Sequence, residues 1–383
     1  MPRFLTLAAV VATATLAAPA WAATATQTRS WQFTAGPDAA LAVNSLVGDV
    51  TVEPAATGGF HVTATIRTEA GSQQDADALA AAVEFLTEDT GPRSRFQVRL
   101  PKAAFPVIYD AHVPRGSFFG RSYVDSLGER RDLSRDPRKA VQVRVDLRAR
   151  VPEGATLRVD NRLGRVDARG VVGGLQADTA RGPISARDGR GALELDTGSG
   201  AIEVAGHEGG VEADTGSGAI RISDCRCRIE ADTGSGGTTV TASAGALDAD
   251  TGSGRILVEG FAGPVRADTG SGSVTLTGLV ATGTLEVDTG SGGVRIEGDL
   301  GAVDRLDIDT GSGAVRIRAS ALPAMVLRMS TGSGGIDAEV PGASLRSESR
   351  RSALLTIGDG RHAGRISTGS GSIRVEMASA PDA

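Results

Sequence analysis

The chain is predicted to be all-β: a parallel β-solenoid (β-helix) of about twelve coils of 18–21 residues behind an irregular, β-rich N-terminal cap. Three observations predict this. Asp-Thr-Gly-Ser-Gly occurs seven times, starting at Asp196, Asp214, Asp232, Asp250, Asp268, Asp288 and Asp309. The copies keep an 18-residue phase as far as Asp268, after which the step lengthens slightly. Apolar and polar residues alternate on both sides of the copies. A fixed short period signals one small unit stacked many times, because one such unit cannot bury its apolar face alone.

The strands follow from the columns of the repeat. Three and one residues before the Asp stand Leu193 and Leu195, then Val211 and Ala213 in the next copy. Six and eight residues after it stand Ile202 and Val204, then Ile220 and Ile222. Alternation with period two gives two short half-buried strands per coil. They join at the Gly-Ser-Gly corner and at a second corner such as residues 205–210. The intervening positions, the Asp among them, face outward. The corner glycines are expected to supply backbone angles that other residues avoid. The Asp is expected to cap its corner as an Asx-turn, accepting from an N–H two residues on.

Ser330 and Ser367 open two further copies with Ser in place of Asp. Residues 160–164 and 178–182 are eroded copies that keep the 18-residue phase. An eroded coil is expected around 349–357, in the gap between the two Ser copies. The rival arrangement is an antiparallel meander of nine-residue units. Identity at the full repeat rather than at half of it favours one full turn per repeat.

The organisation that follows has four parts. Residues 1–22 read as a signal peptide: Arg3, an apolar run over 5–18, and Ala20-Trp21-Ala22 as a small-x-small cleavage site. Residues 23–154 form the β-rich cap, with strands at 31–33, 41–52, 60–68, 96–100 and 141–151, a helix over 76–85 and a mobile loop at 109–139. Residues 155–377 are the solenoid, and 378–383 a tail. Stacked coils end in open sheet edges, which invite aggregation or end-to-end self-association, so a cap is the natural device.

Composition narrows the function. Glycine is abundant, at 52 of 383 residues, and aromatics are only 3%, so the core is aliphatic. A net charge of −6 gives no basic footprint for nucleic acid. No segment is apolar enough to span a bilayer. The expectation is an exported protein, periplasmic or extracellular. Cys225 and Cys227 have a spacing that allows a small disulfide in such a compartment, and two unpaired thiols fit equally well. Cys-x-Cys alone is not a metal site, and His61, His112, His207 and His362 are scattered.

Two segments carry a family resemblance. Residues 41–52, LAVNSLVGDVTV, and residues 151–159, VPEGATLRV, are followed by Gly-centred repeats. Together they resemble the opening strand pair and the strand entry of the bacterial domain-of-unknown-function family labelled "putative adhesin", or β-strand-repeat protein. The resemblance spans about residues 31–377. It implies an exported β-solenoid with an adhesion label, and it brings no catalytic residues to positions of this chain.

Chemical readings of the motif compete with the architectural one. Asp-Thr-Gly is the catalytic triplet of aspartic proteases, but that chemistry needs two loops facing each other to share one proton. Copies a single short repeat apart are too close for two lobes. Export, Gly-rich turns and regular Asp suggest calcium repeats, yet the Asp precedes the glycines here. Polysaccharide lyases share the β-helix but build a cleft from long loops, for which residues 196–309 leave little room. An outward Thr/Ser ladder that orders water, as on ice-binding solenoids, is doubtful beside so much Gly and Asp.

One surface feature exceeds the repeat. Glu194 with Asp196, Glu212 with Asp214, Glu230 with Asp232, and Asp248 with Asp250 put eight carboxylates in four consecutive coils. Neighbours roughly 4.8 Å apart repel by about 0.9 kcal/mol in bulk water. The strip is a candidate for weak binding of cations or of a basic partner. The reading is therefore a non-enzymatic scaffold without a cofactor, binding an envelope glycan or protein. A lyase-like carbohydrate enzyme and a calcium-binding repeat are the alternatives.

Overall fold

The computed structural model describes residues 23–36, 38–56, 58–101, 122–124, 130–132 and 142–378. The expected leader, most of the 109–139 loop and nearly all of the tail lie outside these residues. Within the loop, Ser122–Val124 pairs antiparallel with Arg130–Asp132. The chain is all-β with a single helix among the described residues, and its strands are mostly parallel. It divides into two compact units, Met1–Thr197 and Gly198–Ala383.

From Ile202 to Val315 in the second unit, strands pair in parallel with the strand one repeat on. Ile202 lies beside Ile220, and Val211 beside Ile229. The ladder continues from Ile229 to Leu247 and Val265. Neighbours one repeat apart make a solenoid-like stack and rule out the antiparallel meander. The columns predicted to be apolar are the core: Ile220, Ile229, Val240, Val258 and Ile296 are fully buried.

The corner works differently from its sequence reading. The Thr after each Asp points inward: Thr215, Thr233, Thr251, Thr269, Thr289 and Thr310 all have 0% exposure. Each hydroxyl makes two hydrogen bonds. Thr251 Oγ1 accepts from the Gly254 N–H at 3.0 Å, closing its own corner, and donates to the Gly236 carbonyl of the preceding coil at 2.9 Å. The same pair recurs at Thr215, Thr233, Thr269 and Thr289. The corner is capped by Thr, and no Asx-turn forms at Asp214, Asp232 or Asp250. The inward hydroxyls also remove the ice-binding ladder.

The glycines differ too. Gly236, Gly254 and Gly272 have ordinary φ values; a Cβ on Gly254 would lie 1.7 Å from the Gly236 carbonyl oxygen. They are required by the close approach of stacked corners, not by left-handed backbone. Left-handed residues sit instead at the second corner, at one matching position in successive coils: Asp224, Ala242, Gly260 and Gly278, with φ between 48° and 67°. Beside Asp224, Cys225 and Cys227 are joined by a disulfide and buried.

The last coils are not stacked in chain order. His362–Thr368 lies between two parallel neighbours, with Asp309 beside Ser367 and Ser367 beside Ser330. Ile373–Met377 likewise sits between Val315–Ala321 and Ile336–Glu339. The eroded coil expected around 349–357 is instead a hairpin: Ser352–Thr356 runs antiparallel to Met325–Thr331, and Ser344–Ser349 antiparallel to it in turn. That outermost strand is exposed throughout and carries Arg346 and Glu348, charges that discourage edge pairing.

The first unit uses the same devices. Ala40–Val47 lies between Arg93–Arg99 and Thr156–Leu163, parallel to both, so it too is out of chain order. The coil ladder thus already includes residues 40–54, ahead of the solenoid start expected at 155. Asn161 takes the place of Thr: it is fully buried and donates from Nδ2 to the Gly48 carbonyl at 2.9 Å. Antiparallel strands Ala23–Phe33 and Phe60–Ala70 close this unit against Gln142–Val151. The helix is Gln73–Ala81, capped by Ser72, whose hydroxyl accepts from the Asp75 N–H. The few aromatics cluster here, Trp31 stacking 4.6 Å from Phe85 and 4.8 Å from Phe96.

Two sets of variants test this account. Thr251→Val strands two buried backbone groups, so it should destabilise by about 2–4 kcal/mol, read from the urea midpoint, whereas Thr251→Ser should cost under about 1 kcal/mol. Gly254→Ala should be at least as damaging as the roughly 3 kcal/mol upper end for overpacking. Gly260→Ala, with 3.8 Å to the nearest backbone atom, should cost only about 1–2 kcal/mol.

Candidate functional site

The acidic strip is the site that the sequence singles out, and the pairing divides it. In the first unit Glu194 lies beside Gln176, which donates a hydrogen bond to it, and Asp196 lies beside Asp178. In the second unit Glu212, Glu230 and Asp248 stand in one column and Asp214, Asp232 and Asp250 in another. The alternation that turns Thr inward turns these carboxylates outward. Parallel, in-register pairing then places like residues beside one another.

The Asp column runs on beyond the four coils of the strip, as the seven aligned copies predict. Asp268 follows Asp250, then Asp288 and Asp309. It ends on Ser367 and Ser330, and Arg365 approaches Asp309 at 3.6 Å. The outer column is broken by Arg266, 3.8 Å from Asp248 and 3.4 Å from Glu286. Arg266 ends the run of paired carboxylates one coil before the spacing lengthens. The extra residues bulge out at the second corner and leave the Asp register intact.

Repulsion shows in the titration of the column. Partial burial, then Asp214 and Asp250, push the Asp232 carboxyl above its ordinary value. Burial, then Asp250 and Asp288, do the same to Asp268. Asp288 is raised by burial, then by Asp309 and Glu286. These carboxylates are ladder neighbours along one face, not two loops opposed across a cleft. Among the described residues no group of three or more His, Cys, Asp or Glu is arranged to hold a metal ion. What the arrangement does chemically is to project a negative field that concentrates cations or a basic surface.

A raised folded pKa means that the folded chain binds the proton more tightly than the unfolded one. The cost is absent below the ordinary carboxylate value of 3.8 and grows as pH rises through the folded values. Acidification into the carboxylate range should therefore relieve this cost and raise the melting temperature of the second unit's transition relative to a variant lacking these carboxylates. Asp232→Asn should stabilise by about 1 kcal/mol at low salt, the size of two screened contacts, and by less in high salt. A melting temperature that falls for Asp232→Asn would show that the column is held by attractions instead.

No curated protein sequence is significantly similar to the chain. Two solved structures align along most of its length. One is titled "putative cell adhesion protein", from Clostridium sporogenes, with 9% identity, a TM-score of 0.20, and 92% of this chain and 100% of that one covered. The other is titled "putative lipid binding protein", from Parabacteroides distasonis, with 13% identity, a TM-score of 0.31, and 91% and 96% covered. Scores of this size do not establish a common fold. No helix among the described residues is long and apolar enough to cross a membrane. Residues 193–376, which hold all seven uniform corners, match the Toastrack family, DUF4097, a domain of unknown function, and the resemblance read from residues 41–52, 151–159 and the repeats that follow them is to a domain of that kind.

Proposed function

We propose that the chain is an exported, non-enzymatic β-solenoid scaffold of about twelve coils that binds a glycan or protein of the cell envelope. The observation that carries this reading is how the repeat spends its residues. In each uniform corner of the second unit the Thr is buried, the Gly residues are pressed against the coil before, and the only side chains left outside are those of Asp and Ser. The invariant Thr and Gly therefore serve stacking, while outward positions beyond the corner, such as Glu203, Arg221 and Thr239, vary from coil to coil. A rigid wall with varied outward residues is what a binding scaffold offers. Arg3, the apolar run over 5–18 and the small-x-small site Ala20-Trp21-Ala22 support export. The disulfide fits an oxidising compartment.

On this reading the acidic columns attract cations or a basic partner through their summed field, without a coordinating site. The adhesion label implied by the sequence resemblance agrees with a binding role for this chain.

Expression of the full chain with its own leader in a bacterial host, followed by fractionation, tests the export step. The expected product begins at Ala23 and sits outside the cytoplasm. The purified product should sediment with isolated cell envelopes and leave acidic polysaccharides uncut. An uncleaved cytoplasmic product, or unsaturated uronate products released from a polysaccharide, would overturn the scaffold reading. Calorimetry with calcium chloride should give no more heat than ionic strength explains; a saturable calcium isotherm would favour the calcium-repeat reading instead.

A further inference from the structure

The wall of the second unit changes where its spacing does. The parallel register shifts between Gly263 and Val265, and the coil that follows is two residues longer. Pro264 stands at the shift and has no N–H for the ladder. In the column that holds Pro264, compact Ala246 and Pro264 lie between Arg228 and Thr284. The result is a shallow groove of about 180 Å³ walled by Arg228, Asp248, Arg266 and Thr284.

Its two guanidiniums are only loosely engaged. Arg228 lies 3.6 Å from Glu230, and Arg266 lies 3.8 Å from Asp248 and 3.4 Å from Glu286. Both arginines are more than half exposed, so these ion pairs hold them weakly. Each fork keeps N–H donors for a ligand.

We propose that this groove holds one carboxylated ring of an acidic polysaccharide, a uronate-type unit. A guanidinium matches a carboxylate through two parallel N–H donors. Asp248 and the Thr284 hydroxyl supply an acceptor and a donor for ring hydroxyls. Ala246 and the Pro264 ring offer an apolar floor for the C–H face of a sugar. The groove is smaller than the roughly 300 Å³ lower end for drug-sized ligands, which suits one ring, and its open side lets the chain run on. An acidic peptide such as tri-glutamate brings carboxylates but no ring hydroxyls for Asp248 and Thr284 to engage. The net charge of −6 argues against capture of a polyanion by bulk attraction. The proposal names the ligand class for the scaffold reading above and rests on it.

Calorimetry on the mature chain at physiological salt tests it, with trigalacturonate, neutral maltotriose and a tri-glutamate peptide as probes. Trigalacturonate should bind, and maltotriose and the peptide should bind at least tenfold more weakly. The double variant Arg228→Gln/Arg266→Gln should lose at least tenfold in affinity at an unchanged melting temperature. Arg266→Lys, which keeps the charge but loses the fork, should fall between. Thr284→Ala should weaken binding without touching any charge. No binding of trigalacturonate, equal binding of the peptide, or undiminished binding by the double variant would overturn the proposal. If the double variant still sediments with cell envelopes as the native chain does, the groove assignment falls and the scaffold reading stands. If the native chain binds neither envelopes nor trigalacturonate, both fall.

Discussion

The buried Thr hydroxyl at each corner is the constraint on which the rest depends. A tight turn at the edge of the core leaves a half-buried backbone N–H and carbonyl without strand partners, and an orphan left buried costs about 1–3 kcal/mol. Thr answers both with one atom, accepting from its own corner and donating to the corner of the coil before. That geometry requires the corners to lie close, which is why glycine is needed where a Cβ would strike the neighbouring carbonyl. Asp-Thr-Gly-Ser-Gly is thus one mechanical part: Thr stitches, Gly permits the approach, and Asp and Ser are what is left on the outside.

The stitching also explains why an unfavourable surface persists. Each Asp in the column repels its neighbours by about 0.9 kcal/mol before screening. Against that stand two buried hydrogen bonds and several buried aliphatic side chains per coil, each of the latter contributing roughly 1.5–3 kcal/mol. The interior outweighs the surface, so outward columns are free to carry charge. The same stitch survives where the chain order is broken: Thr368 donates to Gly313, and Thr331 to Gly371. In both units one coil is threaded between two others, and antiparallel strands lie beyond the outer coil. Threading ties each end to distant parts of the sequence and masks an open ladder.

The stack was legible in the sequence because period-two alternation and the 18-residue phase are local properties. The apolar columns around Leu247 and Ile256 could be placed in the core from their spacing alone. Thr251 could not, since a polar residue beside Asp and Gly reads as surface until its partners are known. The left-handed corner at Asp224, Ala242 and Gly260 was hidden because three residue types share it. The threading of His362–Thr368 was invisible for a different reason. Sequence distance fixes which coil repeats, whereas spatial order is decided by long-range edge pairing. Of the candidate site, both acidic columns were legible, the outer one as far as Asp248, where Arg266 follows, and the inner one across the break in spacing after Asp268. The groove at Pro264 arises from that same break, which looks like decay of the repeat when read as letters alone.

Native-state hydrogen exchange at the corner amides tests the central claim most directly. The N–H groups of Gly218, Gly236, Gly254, Gly272 and Gly292 each donate to a Thr hydroxyl inside the stack. Protection should match that of core amides such as Val240 and Val258, with exchange only through opening of the coils. Exchange of these glycines at the rate of solvent-exposed turns would contradict the account, because the corners would then be surface loops and the repeat would serve something other than architecture.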